Sequence, residues 1–296
     1  MTRPKTSRYT FGLLTTVSKD IFRSRYHAEI LSGIFHRIGS LGHALKIFTL
    51  SDEPCLSLER MLQRYDLDGL LILTWRWIRP DFAELIETTR HERVLVFNDP
   101  VPGLQCNILY TDVEAGMAQA VEHLAKRGYR KIGMLHGPRD VIFKDKGKKI
   151  KSPFIDTHLK TEGFLRAMKA HRFQVRGSWI RETMANTEPE GYRVMRRWLR
   201  EKKLPEAMIC GNDDLALGVL EALKEFGKAV PRDLAVVGFD DNDHAKNSRP
   251  LLTTIRQPLF QMAQDAINIL IKRIERPELA PATQKYPPKL IVRKTT

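Results

Sequence analysis

Short apolar runs alternate with helix-spaced apolar positions along the 296 residues of the chain. Residues 9–15 read as a strand. Ile30, Leu31, Ile34, Phe35 and Ile38 then mark one face of a helix over 26–38, stopped by Gly39 and Gly42. A strand at 44–50 follows, then a helix marked by Leu58, Met61, Leu62 and Tyr65, then the buried-type strand GLLIL at 69–73. A helix over 81–92 and a strand at 94–97 come next. Met117, Ala120, Val121 and Leu124 define an amphipathic helix over 114–127, ended by Gly128. The rhythm restarts with a strand at 132–135, helices at 160–171 and 191–201, and a strand at 207–209. A helix at 215–226, a strand at 234–238, a helix at 261–274 and a strand at 290–293 complete the pattern.

Strand–helix alternation of this kind predicts an α/β fold, with parallel sheets covered by helices on both faces. Two such series, broken near Gly128, predict two doubly wound lobes. Ligands of doubly wound sheets bind beyond the carboxyl ends of the strands. Functional residues are therefore expected in the loops at 15–25, 74–77, 98–99, 136–138, 211–214 and 239–241, not in mid-helix.

Composition is that of an ordinary globular chain, with 42% hydrophobic and 28% charged residues. No apolar run approaches the ~18 residues of a membrane span. The apolar stretch 11–14 is too short for the core of a signal peptide, so a cytoplasmic location is expected. Cys55, Cys106 and Cys210 are scattered, with no CxxC pair, which argues against a disulfide framework or a zinc site. The net charge of +14 favours polyanions through long-range attraction but carries no sequence specificity. Lys144, Lys146, Lys148, Lys149 and Lys151 crowd one stretch that reads as a solvated, mobile loop or as a contact for nucleic acid or an acidic partner.

Asn212, Asp213 and Asp214 precede a helix, where one of them is expected to cap it. At least one amide or carboxylate is then left free to face a cleft. Asp240 follows the strand LAVVGF, where a carboxylate suits the neighbouring hydroxyls of a polyol, or a solvated turn. Trp75 and Trp77 flank Arg76 in a loop that fits either the apolar face of a sugar ring or packing between lobes. Tyr26 and His27 offer the same chemistry. GxGxxG, P-loop, HExxH and GxSxG patterns are absent from the sequence, so neither cofactor nor catalytic residue is expected, and no metal.

The segments EILSGIF (29–35), DGLLIL (68–73), AVEHLAKRGYRKIGMLHGP (120–138), ICGNDDLALGVLEAL (209–223), DLAVVGFDD (233–241), LTTIRQP (252–258) and PPKLIVRKTT (287–296) occur in this order. Together they resemble the effector-binding core of the LacI/GalR regulators, itself similar to periplasmic sugar-binding proteins. The resemblance covers nearly the whole chain. It implies two lobes joined by three crossings: residues 9–128 with 256–280, and 129–255 with 281–296, after a linker remnant at 1–8. It implies ligand positions at Tyr26, His27, Lys160, Asn212 and Asp240, with Asp156 and Asn186 in neighbouring loops. Lys160 stands where the family commonly has arginine, a point charge in place of a planar fork. The stretch between Gly137 and Gly163 is longer than usual in the family, and no helix-turn-helix pattern opens the sequence.

The expected function follows from the resemblance. A homodimer binds a small polar effector, a sugar or sugar derivative, between its lobes and controls operator binding by a separate headpiece. A solute-binding protein of a sugar transport system is the alternative, and no enzymatic activity is expected.

Overall fold

The computed structural model describes residues 8–15, 24–49, 58–73, 91–98, 100, 105–145, 148–201 and 203–296. They divide into two compact units, residues 1–111 with 258–286 and residues 112–257 with 287–296, so the chain passes between them three times.

In the first unit, β1 (Thr10–Thr15), β2 (Ala44–Thr49), β3 (Gly69–Leu73), β4 (Val94–Phe97), β5 (Asn107–Thr111) and β13 (Thr283–Tyr286) form one sheet in the order β13-β5-β4-β3-β1-β2. Every pairing is parallel. Successive strand residues face opposite sides, so two cores form. Phe11, Leu13, Leu71 and Leu95 meet Ile30 and Ile34 of the Arg25–Ser40 helix and Met262 and Ile267 of the Leu259–Glu275 helix. Leu14, Leu70, Ile72 and Val96 meet Met61 and Leu62 of the Leu58–Arg64 helix.

The second unit repeats the plan. Here β6 (Ile132–His136), β9 (Ile180–Glu182), β10 (Ala207–Cys210), β11 (Ala235–Asp240), β12 (Thr253–Arg256) and β14 (Lys289–Ile291) run in the order β14-β12-β11-β10-β6-β9. All pair in parallel except β14, which is antiparallel to β12. Helices Val113–Lys126 and Ile155–Ala170 cover one face through Met117, Val121 and Phe164. Helices Glu188–Glu201 and Asp213–Glu225 cover the other, and cross where a Cβ on Gly218 would lie 2.1 Å from the Glu188 carbonyl oxygen. After β14 the tail is fastened to the sheet: the Val236 N–H donates to the Thr295 carbonyl, and the Thr253 N–H donates to the Thr295 hydroxyl at 2.8 Å.

Three sequence expectations need correction. The first crossing follows Thr111, not Gly128, because Met117, Val121 and Leu124 pack on Ile132 and Met134 of the second unit. Residues 283–286, expected in the second lobe, pair with β5; their sequence TQKY has no apolar run to announce a strand. The lysine-rich stretch is not an irregular loop: β7 (Asp140–Asp145) and β8 (Lys148–Pro153) pair as an antiparallel hairpin, with Lys151 bound to Asp140 at 2.8 Å. Its only apolar residues, the short run Val141-Ile142-Phe143 and the lone Ile150, are swamped by lysines and show no period of two. The helix expected over 81–92 lies mostly outside the described residues. Among the described residues, no helix is long and apolar enough to cross a membrane.

Candidate functional site

In the second unit β6 is flanked by β9 on one side and β10 on the other. The connections therefore reverse direction between β6 and β10, which leaves a crevice at the carboxyl ends of these strands. Five of the expected site residues fall there: direct contacts join Asn212 to Asn186 and Lys160 to Asp156, and the charges of Lys160 and Asp156 act on Asp240. Asn212 caps the Asp213–Glu225 helix, its Oδ1 accepting from the Leu215 N–H at 2.9 Å. The expected cap and the expected ligand residue are thus one side chain. Its Nδ2 donates to the Asn186 carbonyl at 3.1 Å. The Asn186 amide in turn packs against Gly137, where a Cβ would lie 2.0 Å from its Oδ1.

Lys160 is 4% exposed. Its Nζ donates to the Gly211 carbonyl and pairs with Asp156, each at 2.9 Å, and lies 4.1 Å from the centre of the Phe239 ring. A buried ammonium with this many partners is a fixed charge. Asp240 is buried at the end of β11, with Oδ1 accepting from Gln257 Nε2 at 2.7 Å. Burial pushes its carboxyl pKa up to about 7, against the pull of Lys160 and Gln257, and the charges of Asp156 and Asp214 push the same way. Behind it Asp213 is wholly buried and raised well above the ordinary carboxylate range, first by burial and then by Asp240. The Thr254 hydroxyl and the Asn242 N–H donate to Asp213.

The backbone at Asp240 and Asp241 has φ of +121° and +59°. Two consecutive non-glycine residues in this region cost on the order of 1–3 kcal/mol each. The buried Asp241 carboxylate holds the turn by accepting from Arg256 Nε at 2.6 Å and from Arg293 of the tail. His136, at the end of β6, is kept neutral chiefly by burial, which lowers its pKa; its Nδ1 lies 2.7 Å from the Gly137 carbonyl.

The first unit supplies a smaller set. Tyr26 and His27 open the Arg25–Ser40 helix, with rings edge to face at 5.3 Å. The Tyr26 hydroxyl accepts from Asn98 Nδ2, and Asn98, at φ +57°, accepts from the Thr111 N–H at 2.9 Å. His27 is buried, whereas Tyr26 is half-buried. Trp75 lies outside the described residues. Asn98 and Phe239 lie in the loops at 98–99 and 239–241 where functional residues were expected; the site residue that was not anticipated is Gln257. Gln257 sits just past the end of β12, the position at which strand-end reasoning looks, but its strand was not recognised. Among the described residues, no group of three or more His, Cys, Asp or Glu is placed to hold a metal ion.

Residues 121–296 match the model of the periplasmic binding protein-like domain. The chain is 30% identical to the HTH-type transcriptional repressor PurR of Actinobacillus pleuropneumoniae serotype 3, over 97% of this chain and 80% of that protein. The lac repressor dimer, solved bound to operator and the anti-inducer ONPF, superposes with a TM-score of 0.82 at 24% identity, covering 99% of this chain and 95% of that one. A LacI family regulator from Enterococcus faecium, solved with bound ribose, gives 0.77 at 22% identity, covering 97% and 98%. The fold and these matches define a periplasmic-binding-protein-like domain. The chain belongs, within that class, to the effector-binding cores of the LacI/GalR transcriptional regulators, as a ligand-sensing domain and not an enzyme.

Proposed function

We propose that this chain senses a small polar ligand, a sugar or sugar derivative, through Asn212, Asp240 and Lys160, with Asp156 and Asn186 beside them. Tyr26, His27 and Trp75 are the first unit's contributors. Occupancy then sets the DNA affinity of an attached reading head in a homodimer, with a cytoplasmic address.

The observation that carries this reading is the Asp240 carboxylate. It is desolvated, held on strained backbone at the end of β11, and acted on by the charge of the buried Lys160 ammonium, while the Asn212 amide follows the end of β10. Such a cluster offers both acceptors and donors at fixed positions, which suits a hydroxyl-rich ligand. The ribose bound to the Enterococcus faecium regulator supports the ligand class. A ligand can bias the reading head only by its differential affinity for two states, worth typically ~1–3 kcal/mol.

A thermal-shift screen of monosaccharides, disaccharides and sugar acids tests the reading. Ligand at about 100 times its dissociation constant adds about 2.7 kcal/mol of stability. Asp240→Ala is expected to abolish that shift; a full shift in the variant refutes the assignment.

A further inference from the structure

The opposite end of the first unit carries a second polar recess. Its residues lie at the amino-terminal ends of β1 and β2, away from the strand ends that carry Thr15 and Asn98. A cavity of about 420 Å³ opens there, lined by Arg8, Tyr9, Arg37, His43, Lys272 and Glu275 among others. Arg8 and Lys272 are exposed and Arg37 is half-buried. Among the described residues none of these three cations pairs with a carboxylate. Arg37 uses Nε on the Asn268 side-chain oxygen at 2.7 Å, which leaves its terminal nitrogens for another acceptor. Glu275, the one carboxylate among the described residues of the wall, accepts from the Tyr9 hydroxyl at 3.4 Å.

Two of the cations have an ordinary reason to be there. Arg37 and Lys272 stand in the last turns of their helices, where the carbonyl ends favour positive charge. That accounts neither for Arg8, which is in no helix, nor for three side chains converging on one cavity. His43 adds donor or acceptor capacity without charge. Its Nδ1 accepts from the Tyr9 N–H at 3.3 Å, and burial lowers its pKa, opposed by Asp68 and helped by Arg37 and Arg8.

We propose that this cavity is an oxyanion site that takes a phosphate group, gripped by Arg8, Arg37 and Lys272. Two guanidinium groups and an ammonium around one recess match the three or more acceptor oxygens of a phosphate. The phosphate is either that of a nucleic-acid backbone or that of a free small molecule. The chain's +14 charge raises the local concentration of both.

The test compares the full chain with Arg8→Ala/Lys272→Ala, and with Lys224→Ala/Lys228→Ala as a control that removes the same net charge from exposed positions of the second unit. In the first arm, inorganic phosphate is titrated against chloride at constant ionic strength and thermal midpoint is read. Wild type and control are expected to rise together, and the cavity variant to need about tenfold more phosphate. In the second arm, a labelled 20-base-pair duplex is titrated at several salt concentrations. If the source is the nucleic-acid backbone, the cavity variant lowers the slope of log affinity against log salt by about one per cation removed, beyond the control. Weakened phosphate protection with unchanged duplex binding assigns the site to a free phosphate compound. If cavity variant and control behave alike in both arms, the proposal is overturned. Because Arg8 and Lys272 are exposed, loss of fold does not confuse the result.

Discussion

Asp240 holds a carboxyl group whose protonation is tied to stability. Its folded pKa of about 7 lies above its ordinary 3.8, so the folded chain takes up the proton first. The contribution is complete below about pH 4 and is lost as pH rises through about 7. With ligand absent, Asp240→Asn is expected to be more stable than wild type at pH 8, with the gap closing toward pH 5. Thermal midpoints of both proteins across that range check this, and parallel curves would contradict it. The lowered pKa of His136 acts in the opposite sense below neutrality, which is why the difference between the two proteins, not either curve alone, carries the information. Residue-scale chemistry was legible in the sequence where it follows a strand, as at Asn212 and Asp240. What the sequence did not disclose was desolvation. Nothing in the letters distinguishes Asp213, sealed beneath Thr254, from its neighbour Asp214.

At the scale of elements, the tail and the helix crossing at Gly218 set the stability of the second unit. Arg293 closes on the buried Asp241 carboxylate from β14's extension, and Asp241 turns the backbone that presents Asp240. Arg293→Met is expected to cost about 3 kcal/mol by leaving buried charge under-compensated, with Arg256 as the remaining partner. Urea unfolding measures the loss. Ligand affinity should fall as well, although Arg293 is not among the proposed ligand contacts; unchanged affinity would separate the tail from the site. Gly218→Ala is expected to cost about 2 kcal/mol, since the new methyl meets the Glu188 carbonyl and backbone must shift. The long elements with apolar faces were predictable from periodicity. Strands β5, β9, β12 and β13 were not, being of three to five residues and in part polar, as TQKY shows. Their existence depends on a neighbouring strand supplying hydrogen bonds, which is tertiary information.

For the whole molecule, both sheets follow one topological plan, so each unit brings its own strand-end crevice. The resemblance supplied the three-crossing connectivity that local pattern alone could not, while the first crossing was misplaced because a glycine after a helix looks like a boundary. Dimerisation is expected in the same frame. Phe35 and Phe260, on the two packed helices of the first unit, are 49% and 38% exposed. Large apolar side chains left open in this way are what a partner copy would cover. Sedimentation is expected to give a dimer, and Phe35→Glu a monomer that still shows the ligand-dependent thermal shift. A wild-type monomer at micromolar concentration would remove the homodimer from the functional reading.

The paired positive φ values at Asp240 and Asp241 also set an evolutionary trap. Glycine at position 240 relaxes the chain at once, so repeated rounds of selection for heat resistance alone should enrich glycine there, whereas position 241 keeps the carboxylate that Arg256 and Arg293 grip. Lineages improved in that way would become sturdier and deaf together, and reverting a single codon should restore their hearing at the expense of the melting point they had gained.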